Sequence, residues 1–145
     1  EALVNELKAA MPPVNRSTRR PKVMVEWWPK PVIVPTRDSW VSDVIALAGG
    51  ENAFEHRQGQ SSPVTDDEVF SAAPDVVVMS WCGVPLAKYR KTVVERREGW
   101  DALAAVREGR IHAVTEAYLG RPGPRLVEGY RALCAVVAQA CAERR

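Results

Sequence analysis

Asp75-Val76-Val77-Val78-Met79-Ser80 decides the fold: it is an unbroken apolar run, rich in β-branched residues, held between two polar ones. A strand with one wet face alternates apolar and polar residues. An unbroken run therefore marks a strand covered on both faces, as in a parallel sheet. Lys22 to Trp28 repeats the pattern with Val23, Met24 and Val25, and Ile111 to Val114 supplies a third predicted strand. Asn52 to His56 reads as a short strand, and a Pro-rich loop with Pro29, Pro31 and Pro35 follows the first run.

Helices fall between these runs. Ser39 is placed to cap a helix from Trp40 to Ala48, with Val41, Val44, Ile45 and Ala48 as its buried stripe and Gly49-Gly50 as its stop. Thr65-Asp66-Asp67-Glu68 fits a capping box, in which hydroxyl and carboxylate satisfy each other's free backbone N–H groups. Leu86 to Arg97 and Trp100 to Glu108 are two further predicted helices, the second closed by Gly109. Pro124 opens a long last helix with Leu126, Tyr130, Leu133, Val137 and Cys141 on one face. At the other end, residues 2 to 11 form a helix with Leu3, Leu7 and Met11 in a stripe, ended by Pro12-Pro13. Strands alternating with helices at this spacing predict an α/β domain with a mainly parallel sheet flanked by helices.

The chain has 145 residues, which is one domain by length, and scaling lets it bury roughly 68% of its unfolded surface. Its 20 basic and 18 acidic residues nearly balance, which argues against a nucleic-acid partner. Arg16, Arg19, Arg20 and Lys22 form a basic run without aromatics and read as a solvated connector over residues 14–21. No apolar run approaches the ~18 residues of a membrane span. Cys134 and Cys141 lie roughly 10.5 Å apart along one predicted helix, too far for a disulfide, and Cys82 pairs with either only if the fold brings them together.

In parallel sheets ligands bind outside the carboxyl ends of the strands. Here those ends carry aromatics: Glu26-Trp27-Trp28 after the first strand, Trp81 after Val76–Met79, and Tyr118 after Ile111–Val114. Core packing is the ordinary reading of any single Trp, and it is the reading of Trp40 and Trp100 on their helices. Three ring-bearing strand ends together favour a wall for a flat, bulky ligand. Glu26 is the carboxylate to watch there, either as a ligand contact or as a partner of a neighbouring loop. His112 lies inside a strand and reads as a packed or surface residue. No metal-ligand spacing, nucleophile motif or phosphate loop stands out, so no catalytic, metal or cofactor residues are assigned.

The same residues resemble the C-terminal lobe of the periplasmic substrate-binding proteins of ABC importers for cobalamin, siderophores and haem. The likeness rests on Val25-Glu26-Trp27 with its Pro loop, Val44 to Phe54, Val64 to Val69, Ala73 to Val78, Trp100 to Ile111 and Pro122 to Gly129, in this order. The Glu-Trp-x-Pro-x-Pro opening is most similar to the cobalamin-binding branch. The resemblance implies a three-layer Rossmann-like domain that is a single lobe of a two-lobe binding protein. Residues 1–13 would be the tail of the interlobe helix, 14–21 a linker and 22–145 the lobe. Trp27, Trp28 and Pro31 match the aromatic first loop of the cleft and Tyr118 the later ring, whereas Trp81 enters by strand position alone. The implied ligand is cobalamin or a related tetrapyrrole or iron chelate, and the implied place is the periplasm or the outer face of the envelope. The acidic residue with which such lobes meet the permease has its matching position at Gly120. Glu116 is near but not aligned, which leaves docking through this lobe without its contact. Two other readings stand beside this one: a small enzyme or metal-dependent module using Glu26, Asp38 and His56, and a self-associating module, such as a homodimer, built on exposed aromatics.

Overall fold

A computed structural model describes residues 2–15 and 19–143. Its central sheet has four strands: β1 (Lys22–Glu26), β4 (Glu51–Asn52), β6 (Val76–Met79) and β7 (Ile111–Ala113), in the order β4-β1-β6-β7. Every pairing in it is parallel, with Val23 beside Val76 and Val77 beside Ile111. The apolar runs of β1 and β6 are buried on both faces, as their sequences predict.

Pleating sends alternate residues to two separate cores. Val23, Val25, Trp27, Val76 and Val78 face one core, which is completed by α2 (Trp40–Leu47) and the long α7 (Leu126–Glu143). Met24, Val77, Met79 and Trp81 face the other, with residues of α3 (Asp66–Ala72), α4 (Lys91–Glu95) and α5 (Ala104–Arg107). The domain is therefore the expected three-layer α/β arrangement. Fully buried side chains such as these stabilise by about 1.5–3 kcal/mol each.

Both caps form as read. Ser39 accepts from the Val41 N–H, and Thr65 and Glu68 complete a capping box at the start of α3. Gly129 lets α7 approach the short helix α6 (Glu116–Leu119): a Cβ there would lie 2.6 Å from Leu119 Cδ2 and 2.9 Å from the Tyr118 carbonyl oxygen.

Five expectations are corrected. The Pro-rich loop is a hairpin of β2 (Trp28–Pro29) and β3 (Val32–Pro35), extended by β5 (Ser61–Pro63) into a small antiparallel sheet; its prolines sit at strand ends and at the turn, where no ladder N–H is required. The helix expected over Leu86 to Arg97 breaks into a 3₁₀ turn (Leu86–Lys88) and α4, and that over Trp100 to Glu108 into a 3₁₀ turn (Trp100–Ala102) and α5. The strand expected at Asn52 to His56 stops at Asn52, whose side-chain oxygen accepts the Phe54 N–H and turns the chain.

The solvated connector is the fifth. Arg20 donates to the Ala46 and Gly50 carbonyl oxygens at the end of α2, and Arg19 pairs with Asp75. These donors answer carbonyls that a helix end leaves free. The Val14 N–H donates to the Leu47 carbonyl, and the Tyr130 hydroxyl to that of Pro12. The end of α1 (Ala2–Ala10) is thus tied to the rest of the domain, with Met11 buried in the first core and Leu7 packed against it. Arg16 and the side chain of Leu3 lie outside the described residues.

Candidate functional site

The carboxyl ends of the parallel strands open into a groove of about 410 Å³. Three loops build it. The first contributes Trp27 and Trp28, the loop after β6 contributes Cys82, and the corner after α6 contributes Gly120. Ile33, Trp40 and the Gln60-Ser61 edge of the small sheet complete the wall. Backbone bonds bind the loops together: Cys82 N–H donates to the Trp27 carbonyl, Ser80 N–H to that of Glu26 and Trp27 N–H to that of Ile33. The far edge is clasped by Asp38, which accepts the Gly59 N–H, and by Thr36, whose hydroxyl donates to the Gly59 carbonyl.

Rings dominate the wall. Trp27 and Trp40 lie 6.5 Å apart, centroid to centroid, at 47°. The Trp40 indole N–H donates to the Leu119 carbonyl at 2.8 Å, which fixes the ring against the α6 corner. Trp28 is 40% exposed, and its N–H is already satisfied by the Lys30 carbonyl, so the ring offers apolar area without an unmet donor. Cys82 is a free thiol whose pKa is raised, first by burial and then by the Glu116 charge.

A buried polar cluster lies on the other side of the strand. Glu26 is wholly inaccessible. Both its oxygens accept from Arg97, at 2.6 and 2.9 Å, and Oε2 also accepts the Trp81 indole N–H at 2.8 Å. Arg97 reaches on to the Pro29 carbonyl and lies 4.5 Å over the Trp100 ring. Trp81 packs on Tyr89 at 5.1 Å, and the Tyr89 hydroxyl donates to the Trp81 carbonyl. Burial raises the pKa of that hydroxyl. Glu116 accepts the Gly83 N–H and so holds the loop after β6 to α6.

The expected site residues therefore divide. Trp27 and Trp28 line the groove. Trp81 and Glu26 do not: they satisfy each other beneath the surface, so Glu26 is a partner of its neighbours rather than an exposed group. Pro31 is exposed at the hairpin turn, next to the cis Lys30–Pro31 bond, and is outside the groove lining. Tyr118 sits on α6, half-buried under Arg125, and Gly120 occupies the groove wall beside it. Trp40 was read as core, yet it is half-buried and faces the groove; its place directly after a helix cap at the carboxyl edge was the available signal. Trp100 is fully buried, as read, whereas His112 is half-buried, and its Nε2 has no hydrogen-bond partner among the described residues.

The Glu26, Asp38 and His56 module is overturned. Glu26 is locked by Arg97, Asp38 by the Gly59 N–H, and His56 lies against Phe54 in a separate polar hollow with Lys22 and Glu51. Among the described residues no group of His, Cys, Asp and Glu is arranged to hold a metal ion.

Residues 1–118 match the profile of the periplasmic binding proteins. The chain belongs to that family. It is 30% identical over 112 residues to an uncharacterised ABC transporter substrate-binding lipoprotein of Bacillus subtilis, covering 77% of this chain and 33% of the relative. It is 26% identical over 106 residues to a vitamin B12-binding protein of Vibrio cholerae, covering 72% of this chain and 36% of that one. Among solved structures, the apo haem-binding protein RhuT of Roseiflexus sp. RS-1 superposes with a TM-score of 0.77 at 26% identity, over 95% of this chain and 53% of that one. The periplasmic vitamin B12-binding protein of Vibrio cholerae superposes with a TM-score of 0.71 at 22% identity, over 96% and 51%. The chain thus spans about a third of the length of these sequence relatives.

Proposed function

We propose that the chain is the C-terminal lobe of a two-lobe substrate-binding protein serving an ABC importer. Its Trp27–Trp28–Trp40 groove is one wall of a cleft for a flat, largely apolar ligand: a corrinoid, a haem or an iron chelate. The observation that carries this reading is the ring-lined groove at the carboxyl edge, where three strand-end loops meet. Relatives named for vitamin B12 and for haem uptake agree with that ligand class. Residues 1–13 serve as the end of the interlobe helix and 22–145 as the lobe, and the site of action is the periplasm or the outer face of the envelope. Delivery goes to a permease, with Gly120 in place of an acidic docking residue.

The mechanism is sequestration. Trp28 has roughly 100 Å² left to cover, which at about 25 cal/mol per Å² contributes about 2.5 kcal/mol. A single wall of such rings is set against about 4–15 kcal/mol of lost translational and rotational freedom. One lobe alone is therefore a weak binder, and a second wall closing over the ligand makes a tight one.

Calorimetric titration of cyanocobalamin, iron protoporphyrin and a ferric hydroxamate tests this. The 145-residue chain should bind none of them with a Kd tighter than about 10 μM. The same chain behind its N-terminal lobe should bind one class at least a hundredfold more tightly. Nanomolar binding by the lone lobe, or no binding of any class by the two-lobe protein, would overturn the reading.

A further inference from the structure

A second hollow of about 400 Å³ adjoins the groove at the corner before α7. Glu116, Arg121, Gly123 and Arg125 line it. Gly120 forms part of the groove wall and immediately precedes Arg121, so the two hollows meet along one stretch of backbone.

Both arginines are exposed, and among the described residues neither forms an ion pair. Arg125 lies over the Tyr118 ring, 5.2 Å from its centroid, which restrains its guanidinium. The carboxylate in the hollow, Glu116, accepts the Gly83 N–H through Oε1. The first-turn acid of α7, Glu128, pairs with Arg131 instead. Arg125 directly precedes the 18-residue α7, where the helix dipole favours acids. Apart from the stacking of Arg125 on Tyr118, neither arginine side chain forms an ion pair or hydrogen bond among the described residues. A local rule broken beside a binding groove points to a role outside the fold. The planar fork of Arg matches carboxylate and phosphate oxygens two at a time.

We propose that Arg121 and Arg125 bind an oxyanion, carboxylate or phosphate, carried on the edge of the ligand that fills the groove. The substrate class is then a flat apolar body with an anionic arm. This rests on reading the groove as a ligand wall. An acidic side chain of a partner protein would suit the same fork, but continuity with the groove favours the ligand.

Two measurements separate these ideas. Tryptophan quenching compares iron protoporphyrin, which has two carboxylates, with its uncharged dimethyl ester. Arg121→Gln/Arg125→Gln should weaken the acid by about tenfold and leave the ester unchanged, with Arg121→Lys/Arg125→Lys recovering part of the loss. Independently, sodium phosphate should shift the Arg121 and Arg125 Nε–H NMR signals along a saturating curve. If neither porphyrin quenches but phosphate saturates, the groove reading fails and the anion site stands. If both porphyrins bind wild type and the Gln variant alike, the groove stands and the anion site is overturned. A linear phosphate drift overturns it too. So does a Gln variant that keeps ligand affinity but loses stimulation of the importer's ATPase, which would assign the arginines to a partner.

Discussion

Replacing Arg97 with Met strands the Glu26 carboxylate in a site that solvent does not reach. Three donors hold Glu26: Nη1 and Nη2 of Arg97 and the indole N–H of Trp81. The substitution removes two of them and also frees the Pro29 carbonyl. Breaking a buried pair by deleting one partner costs about 3–5 kcal/mol, because the remaining charge has neither water nor a counter-ion. The lost stacking of Arg97 on Trp100 adds about 0.5–1 kcal/mol. Against a total stability of about 5–15 kcal/mol this is a large share, and it lowers Tm by roughly 7–24 °C.

The double variant Glu26→Gln/Arg97→Met isolates the cause. Its neutral amide oxygen still accepts from Trp81, and no charge is buried, so it should return to within about 2 kcal/mol of wild type. Urea unfolding followed by tryptophan fluorescence and far-ultraviolet circular dichroism reads both variants, with an unchanged m-value as the check on a comparable two-state transition. An Arg97→Met cost below about 1 kcal/mol would refute the reasoning, as would a double variant no more stable than the single one.

Trp28→Ala should weaken ligand binding by the two-lobe protein by about 2 kcal/mol in titration calorimetry and leave the urea midpoint nearly unchanged, whereas Trp81→Ala should cost about 3–5 kcal/mol of stability because its ring lies in the core. Gly129→Ala should destabilise by about 1–3 kcal/mol in the same unfolding assay, since its Cβ would meet the Tyr118 carbonyl oxygen and α6 must move. The pKa of Glu68 is lowered from 4.5, chiefly by the Thr65 backbone N–H; desolvation opposes this, and the Thr65 hydroxyl and the Arg57 charge add to the lowering. A depressed carboxyl stabilises the fold above its ordinary range and loses that contribution as pH falls through it, so Glu68→Gln should flatten the decline of the urea midpoint below pH 4.5. Trp40→Phe should cost about 1 kcal/mol by removing the bond to the Leu119 carbonyl, read in thermal melts.

The layers and the parallel sheet were legible because their signals are local and repeated. The Val76 to Met79 run has one physical reading, and the Thr65–Glu68 box forms from residues three apart. The hairpin was hidden because its prolines look like breakers, although an edge or turn position spares them any ladder bond. The two helices expected from Leu86 to Glu108 were overdrawn for another reason. Gly99, at φ 81°, turns the chain there, and Arg97 is drawn down to Glu26, a contact 71 positions away that no periodicity announces.

The site shows most plainly where a sequence argument ends. All three strand ends do reach one rim, because every strand in the sheet runs the same way. That fixes where the loops lie, not where the rings point. Within β6 and its continuation, Val77, Met79 and Trp81 share one face, and within β1, Val23, Val25 and Trp27 share the other core. The register pairs Val23 with Val76 and Glu26 with Met79, so Trp81 and Glu26 fall on the same side and Trp27 on the opposite one. The period of two within each strand was written in the sequence. The alignment of one strand against the other was not, since an apolar run on both faces gives no phase. Once the register is known, the burial of Trp81 beside Glu26 follows, and so does the support it gives: the ring expected to touch ligand instead fills the core beneath the hairpin that carries Trp28.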